Sequence, residues 1–141
     1  MTNIARSEFK IEIRRLGATQ LKKLVAELWN SQEWETQILG SQAQSAIDIV
    51  ATSKELIQRK EIIHIKQYGN DKLVSPSAIR NCNTASHYQD NTDAVILVTT
   101  GNFSEDAELL AQDLNVKLVD YDDLYDFFEE TESFDILYQY I

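Results

Sequence analysis

Leu21, Leu24, Val25, Leu28 and Trp29 recur at the spacing of one helical face, and Lys22, Lys23 and Glu27 fall on the other. This predicts a helix from Thr19, as its cap, to about Asn30. Before it, Phe9, Ile11 and Ile13 alternate with Lys10, Glu12 and Arg14. That period of two reads as a short half-buried strand or an extended arm, ended by Gly17. Residues 36–39 form a brief strand candidate before Gly40, and 41–45 are a polar loop. Residues 46–52 (AIDIVAT) and 61–68 (EIIHIKQY) are strands joined by the polar, basic stretch 53–60. In the second of these, Ile63 and Ile65 point to one face and His64 and Lys66 to the other.

Ser75 before Pro76 starts a helix that runs to about Tyr88. Residues 93–100 (DAVILVTT) are apolar and β-branched, the pattern of a strand buried on both faces. Gly101 and Asn102 turn the chain, and Ser104 caps a helix whose first turns carry Glu105, Asp106 and Glu108, where the helix dipole favours anions. Residues 116–119 are a short strand and 122–130 an acidic helix. Central strands with flanking helices make the class α/β with a mixed sheet. A length of 141 residues suits a single domain over 1–141, with an N-terminal arm or strand (1–17), a core (18–130) and a C-terminal tail (131–141). The tail packs through Phe134, Leu137 and Tyr138 or pairs with another chain.

Charge changes the picture more than size. The net charge is −10, but 12 of the 13 Lys and Arg lie in residues 1–80, and Lys117 alone faces 14 acids in residues 81–141. Phosphate contacts dominate nucleic-acid affinity, so the basic half is the half able to face DNA. The acidic half reads as a well-solvated surface. The longest apolar run, AVILV at 94–98, is strand-sized, so no membrane contact is expected. Residues 1–16 lack the apolar segment of a secretory leader, and Cys82 stands alone. A cytoplasmic, intracellular setting is the expectation.

The candidate chemistry sits on the two central strands. A short antiparallel connection brings Asp48 close to Lys66, and strand geometry puts His64 and Lys66 about 7 Å apart on one face. A carboxylate can hold a hard divalent cation, the cation can activate water, and a lysine can stabilise charge developing on a phosphate. The plainer alternative is a surface ion pair between Asp48 and Lys66.

The segments AIDIVAT, IIHIKQY, LVSPSAIR, DAVILVTTGNFSEDAELLA and VKLVDYDDL together resemble the catalytic domain of Mrr-type restriction endonucleases, within the PD-(D/E)xK nuclease superfamily. The resemblance covers about Gln20 to Phe128. It implies a restriction-endonuclease-like α/β/α sandwich around a mixed sheet, Mg²⁺- or Mn²⁺-dependent endonuclease cleavage of DNA, and a homodimer. By position, Asp48 matches the metal-binding aspartate and Lys66 the catalytic lysine. The chain departs from the pattern at three places. His64 stands where Glu or Gln is usual, Lys22 where a helix glutamate is frequent, and Gln44-Ser45-Ala46 where an acid-glycine-glycine stretch is frequent.

The metal set is then Asp48, His64 and the backbone carbonyl of Ile65, and imidazole suits Mn²⁺ or Zn²⁺ better than Mg²⁺. Three roles stay open for His64: ligand, proton carrier near neutral pH, or satisfied bystander. Lys54, Arg59, Lys60, Lys72 and Arg80, with Gln67 and Tyr68, are candidates for contact with DNA. Lys22, Gln44 and His64 favour the alternative of a catalytically degenerate nuclease domain that binds DNA or a protein.

Overall fold

A computed structural model describes residues 3–40, 47–87 and 89–141. The expected loop at 41–45, together with Ala46 and Tyr88, lies outside them. The elements run α1 (Arg6–Arg15), α2 (Ala18–Asn30), β1 (Trp34–Ile38), β2 (Ile49–Ser53), β3 (Lys60–Lys66), β4 (Leu73–Val74), α3 (Pro76–Ser86), β5 (Ala94–Thr99), β6 (Asn102–Phe103), α4 (Glu105–Leu114), β7 (Val116–Val119), α5 (Tyr121–Glu130) and α6 (Phe134–Leu137). The main sheet has the order β1-β2-β3-β5-β7. β1, β2 and β3 pair antiparallel, whereas β3, β5 and β7 pair parallel, so the sheet is mixed as expected. No helix of the described residues is long and apolar enough to cross a membrane.

Helices cover both faces. On one side Leu21, Leu24, Val25 and Leu28 of α2 pack with Ile49, Ile63 and Ile96 of the sheet and with α1, α5 and α6. On the other, Ile79 and Cys82 of α3 and Ala107 and Ala111 of α4 pack with Leu97 and Val116. This is the α/β/α sandwich, and the strand alternation assigns each side chain to one layer.

Residues 9–13 lie in α1 and do not form the expected strand or arm. Phe9 and Ile13 are buried and Leu16 follows them, an i, i+4, i+7 series, whereas Ile11 is exposed. Five residues fit both periods, and packing decided between them. The Phe9 ring meets Tyr125 edge-on at 5.2 Å and Phe128 at 5.8 Å, so α1 is seated on α5. Phe134 and Leu137 join the same cluster. The segments expected as arm and tail are therefore layers of one core.

Smaller differences concern caps and turns. Gly17 is the N-cap of α2 and Thr19 lies inside the helix. Asp120 starts α5 in a reciprocal capping box with Asp123. Ser104 caps α4 as expected, accepting the Ala107 N–H at 3.0 Å.

Asn102 was expected to turn, and instead pairs in parallel with Leu73 as β6 meets β4. Gly101 permits this, because a Cβ there would stand 2.6 Å from the Lys72 carbonyl oxygen and 2.9 Å from Cδ2 of Tyr68. Gly101→Ala should therefore force backbone apart and cost about 1–3 kcal/mol. Urea unfolding of the two proteins measures this directly, and an unchanged midpoint would contradict the close approach.

Candidate active site

β2 begins where its pairing with β3 becomes irregular, and Asp48 occupies that point. Its N–H donates to the Ile63 carbonyl at 3.0 Å, and its own carbonyl accepts the Leu39 N–H at 2.9 Å. The next β3 amide, that of Ile65, has no β2 carbonyl to meet and donates to Oδ2 of Asp48 at 2.6 Å. The carboxylate thus completes a backbone ladder, which fixes it one residue before Lys66. The Ile65 N–H and C=O share a side of the strand, so its carbonyl also turns toward this end of β2. On the far side of β3, Thr99 Oγ1 donates to the Lys66 carbonyl at 2.8 Å.

The second oxygen of Asp48 is also engaged. Lys22, in the second turn of α2, places Nζ 2.9 Å from Oδ1, with the two side chains 22% and 15% exposed. The surface ion pair expected between Asp48 and Lys66 is not formed; Asp48 pairs instead with Lys22, and that pair is largely buried. Among the described residues the Lys66 amine makes no ion pair. Lys66 is exposed at the end of β3.

His64 lies elsewhere. It is 1% exposed, and its Nε2 is 3.0 Å from Ser86 Oγ. Ser86 in turn donates to the Cys82 carbonyl at 2.8 Å, so this imidazole nitrogen is tied into the last turn of α3. Of the three roles open for His64, that geometry supports the satisfied bystander, since a ligand or relay role at Nε2 requires breaking a buried hydrogen bond. Cys82 is buried beside it. Burial pushes its thiol up to about 12, with the Lys66 charge opposing and the Asp48 charge adding.

A hard divalent cation takes six or more oxygens, mostly carboxylates and carbonyls. Here one Asp48 oxygen accepts an amide and the other faces an ammonium. No group of three or more His, Cys, Asp or Glu able to hold a metal ion exists among the described residues. The donor set of Asp48, His64 and the Ile65 carbonyl therefore does not fit a preassembled divalent site.

The expected basic rim divides in two. Lys54, Arg59 and Lys60 lie at the hairpin end of β3, and Lys60 is engaged there by Gln89 and the Asp90 carbonyl, each at 3.0 Å. Six residue steps along β3, about 20 Å, separate Lys60 from Lys66. Gln67 donates to the Arg14 and Leu16 carbonyls at 2.9 and 2.7 Å, which locks α1 to β3. Tyr68 is half-buried with Lys72 over its ring at 4.9 Å, and Arg80 is exposed on α3.

Arg14 was not among the expected site residues. Its Nε donates to the Thr100 carbonyl at 2.8 Å, and it shares Asp71 with Lys10. These two cations hold the Asp71 carboxyl below its usual range. The i, i+4 relation of Lys10 and Arg14 carried that signal, hidden by the strand reading of α1.

A profile of the restriction endonuclease family, of the Mrr catalytic type, matches residues 13–128. The chain belongs to this restriction endonuclease family. Comparison with curated proteins returned no match. Solved restriction endonucleases share the fold. AspBHI, a DNA modification-dependent enzyme, aligns with a TM-score of 0.72 and 12% identity over 94% of this chain and 37% of its own. FokI aligns at 0.61 and 14% over 99% and 30%. MspJI, in complex with a 27-mer oligonucleotide, aligns at 0.56 and 16% over 92% and 31%. The chain thus spans about a third of each of these proteins. Restriction endonucleases generally use divalent metal ions, and in this chain the Asp48 carboxylate is paired with Lys22.

Two measurements check the geometry. Ser86→Ala should cost about 1–3 kcal/mol in urea unfolding, because the buried His64 Nε2 loses its hydroxyl partner. The Cys82 thiol should stay unmodified by a disulfide-exchange reagent at pH 8 in the folded protein and react fully after unfolding; rapid labelling of the native protein would contradict its burial.

Proposed function

We propose that this domain acts on DNA as a binding module built on a nuclease scaffold, seating a backbone phosphate against Lys66 at the end of β3. The observation that carries the reading is the Lys22 ammonium on Asp48. It neutralises the carboxylate of the site and leaves the Lys66 charge for an external anion. Membership of the restriction endonuclease family, and the oligonucleotide and DNA in the MspJI and FokI complexes, support DNA as the partner. The ammonium group has three donors, and phosphate oxygens are the acceptors that suit it. With a total charge of −10, the chain repels DNA at long range, so affinity rests on this local cationic edge and weakens steeply with salt.

A second reading is metal-dependent endonucleolytic cleavage. It is favoured by Asp48 standing on the Ile65 amide one residue before Lys66, the aspartate and lysine that hydrolysis in this family uses. Plasmid DNA incubated with Mg²⁺, Mn²⁺ or chelator separates the two. Binding without nicking under any metal supports the module. Nicking that chelator and Asp48→Ala both abolish establishes the enzyme.

Lys66→Ala is expected to weaken binding to a short duplex and to reduce the slope of log K against log salt by about 0.9, one phosphate contact. Lys66 is exposed, so the fold should be unchanged by circular dichroism. A wild-type protein that shows no salt-sensitive binding, or a variant that matches it, would remove DNA as the ligand of this edge.

A further inference from the structure

We propose that Lys22 is the resident cation of the Asp48 site, so that the domain recruits no divalent metal on its own and one charge reversal at residue 22 converts the site into a metal centre. The inference rests on Asp48 being the acid of the site; it does not require that DNA be the ligand.

Geometry makes the pair more than a surface contact. Nζ of Lys22 is 2.9 Å from Oδ1 of Asp48, and both side chains are more than three-quarters buried. Screening is weaker there than in open solvent, so the attraction exceeds that of an exposed pair. The other carboxylate oxygen is fixed by the Ile65 N–H at 2.6 Å, so Asp48 cannot turn away to offer itself elsewhere without opening the β2–β3 junction. A divalent ion approaching Oδ1 meets an ammonium already in contact with it. It would have to expel that ammonium, or sit beside it against like-charge repulsion.

The two kinds of cation are not equivalent chemically. Both neutralise a carboxylate, and both can hold a phosphate oxygen at the same time. Only the metal acts as a Lewis acid that lowers the pKa of a bound water to near neutrality. An ammonium donates hydrogen bonds and has no open coordination position. Replacing one with the other therefore keeps the electrostatics of an anion seat and removes the means of making a hydroxide nucleophile.

Glutamate at this position has the reverse effect. Its side chain is one atom shorter than that of lysine, which leaves roughly 4 Å between its carboxylate and that of Asp48, a gap one ion with bonds of about 2.1–2.6 Å can bridge. The Ile65 carbonyl turns toward the same end of β2 and adds a third oxygen.

The test uses the full chain and Mn²⁺ alone, without DNA. Free Mn²⁺ is followed by its six-line electron paramagnetic resonance signal, and binding by calorimetry. Lys22→Glu should bind Mn²⁺ at least about ten-fold more tightly than the wild type, given a two-unit change of charge at one contact. The double variant Lys22→Glu with Asp48→Asn should return to the wild-type level. Lys22→Gln removes the ammonium, adds no charged donor, and should bind more tightly than the wild type and less tightly than Lys22→Glu.

Wild-type binding as tight as that of Lys22→Glu would overturn the proposal. So would a gain that survives Asp48→Asn, which would place the ion among the chain's many other acids. If Lys22→Glu fails to fold by circular dichroism, Lys22→Gln decides: binding no tighter than wild type refutes the role of the ammonium. Failure to bind DNA leaves these outcomes intact, so the two readings fall separately.

Discussion

One carboxylate does the work of a backbone carbonyl at the point where two central strands part. The Ile65 amide would otherwise end β3 without an acceptor, and burial makes an unpaired amide costly. Asp48 supplies the acceptor, and in doing so it is held rigidly at the end of the sheet with its second oxygen turned outward. A carboxylate held this way needs a counter-charge. Lys22 meets that need from α2, which the apolar face of Leu21, Leu24 and Leu28 presses onto the same sheet. Ladder, helix packing and ion pair are thus one construction, and the character of the site follows from which cation completes it.

The layers determine which side chains reach this construction. Alternation along β3 sends His64 into the α3 layer, where Ser86 engages it, while Lys66 ends the strand in solvent. Much of the basic first half is spent on structure. Arg6 pairs with Asp122 and Asp126 of α5, and Arg14 and Lys10 share Asp71. Among the described residues Arg6 alone joins the N-terminal helix to acids of the C-terminal half, and the other ion pairs stay within the first half. What remains at the end of β3 is a small, locally cationic edge on an acidic protein.

The chain shares its fold and family with proteins that cut DNA, but family membership does not fix chemistry. In this chain the Asp48 carboxylate is met by the Ile65 amide and the Lys22 ammonium, so both of its oxygens are engaged. The chemistry a shared frame supports is set by a few side chains such as these.

Much of this was legible from residue order alone. The long periodic segments declared α2, β5 and α4, the Ser-Pro pair declared α3, and AIDIVAT with EIIHIKQY declared the hairpin that holds Asp48 and Lys66, because each pattern follows from local backbone geometry. The helix at residues 9–13 was not legible, although packing of the 131–141 segment through Phe134 and Leu137 was one of that segment's two readings. Five alternating residues fit either period, and only the packing of Phe9 on Tyr125 and Phe128 chose the helix. Nor was the partner of Asp48. Pairing Lys22 with a residue 26 positions away depends on how α2 crosses the end of the sheet, and the burial of His64 depends on where the last turn of α3 comes to rest. Sequence patterns encode which face of each element turns inward. Which polar groups then meet is decided by the packing of elements distant along the chain, and that exists only in the assembled core.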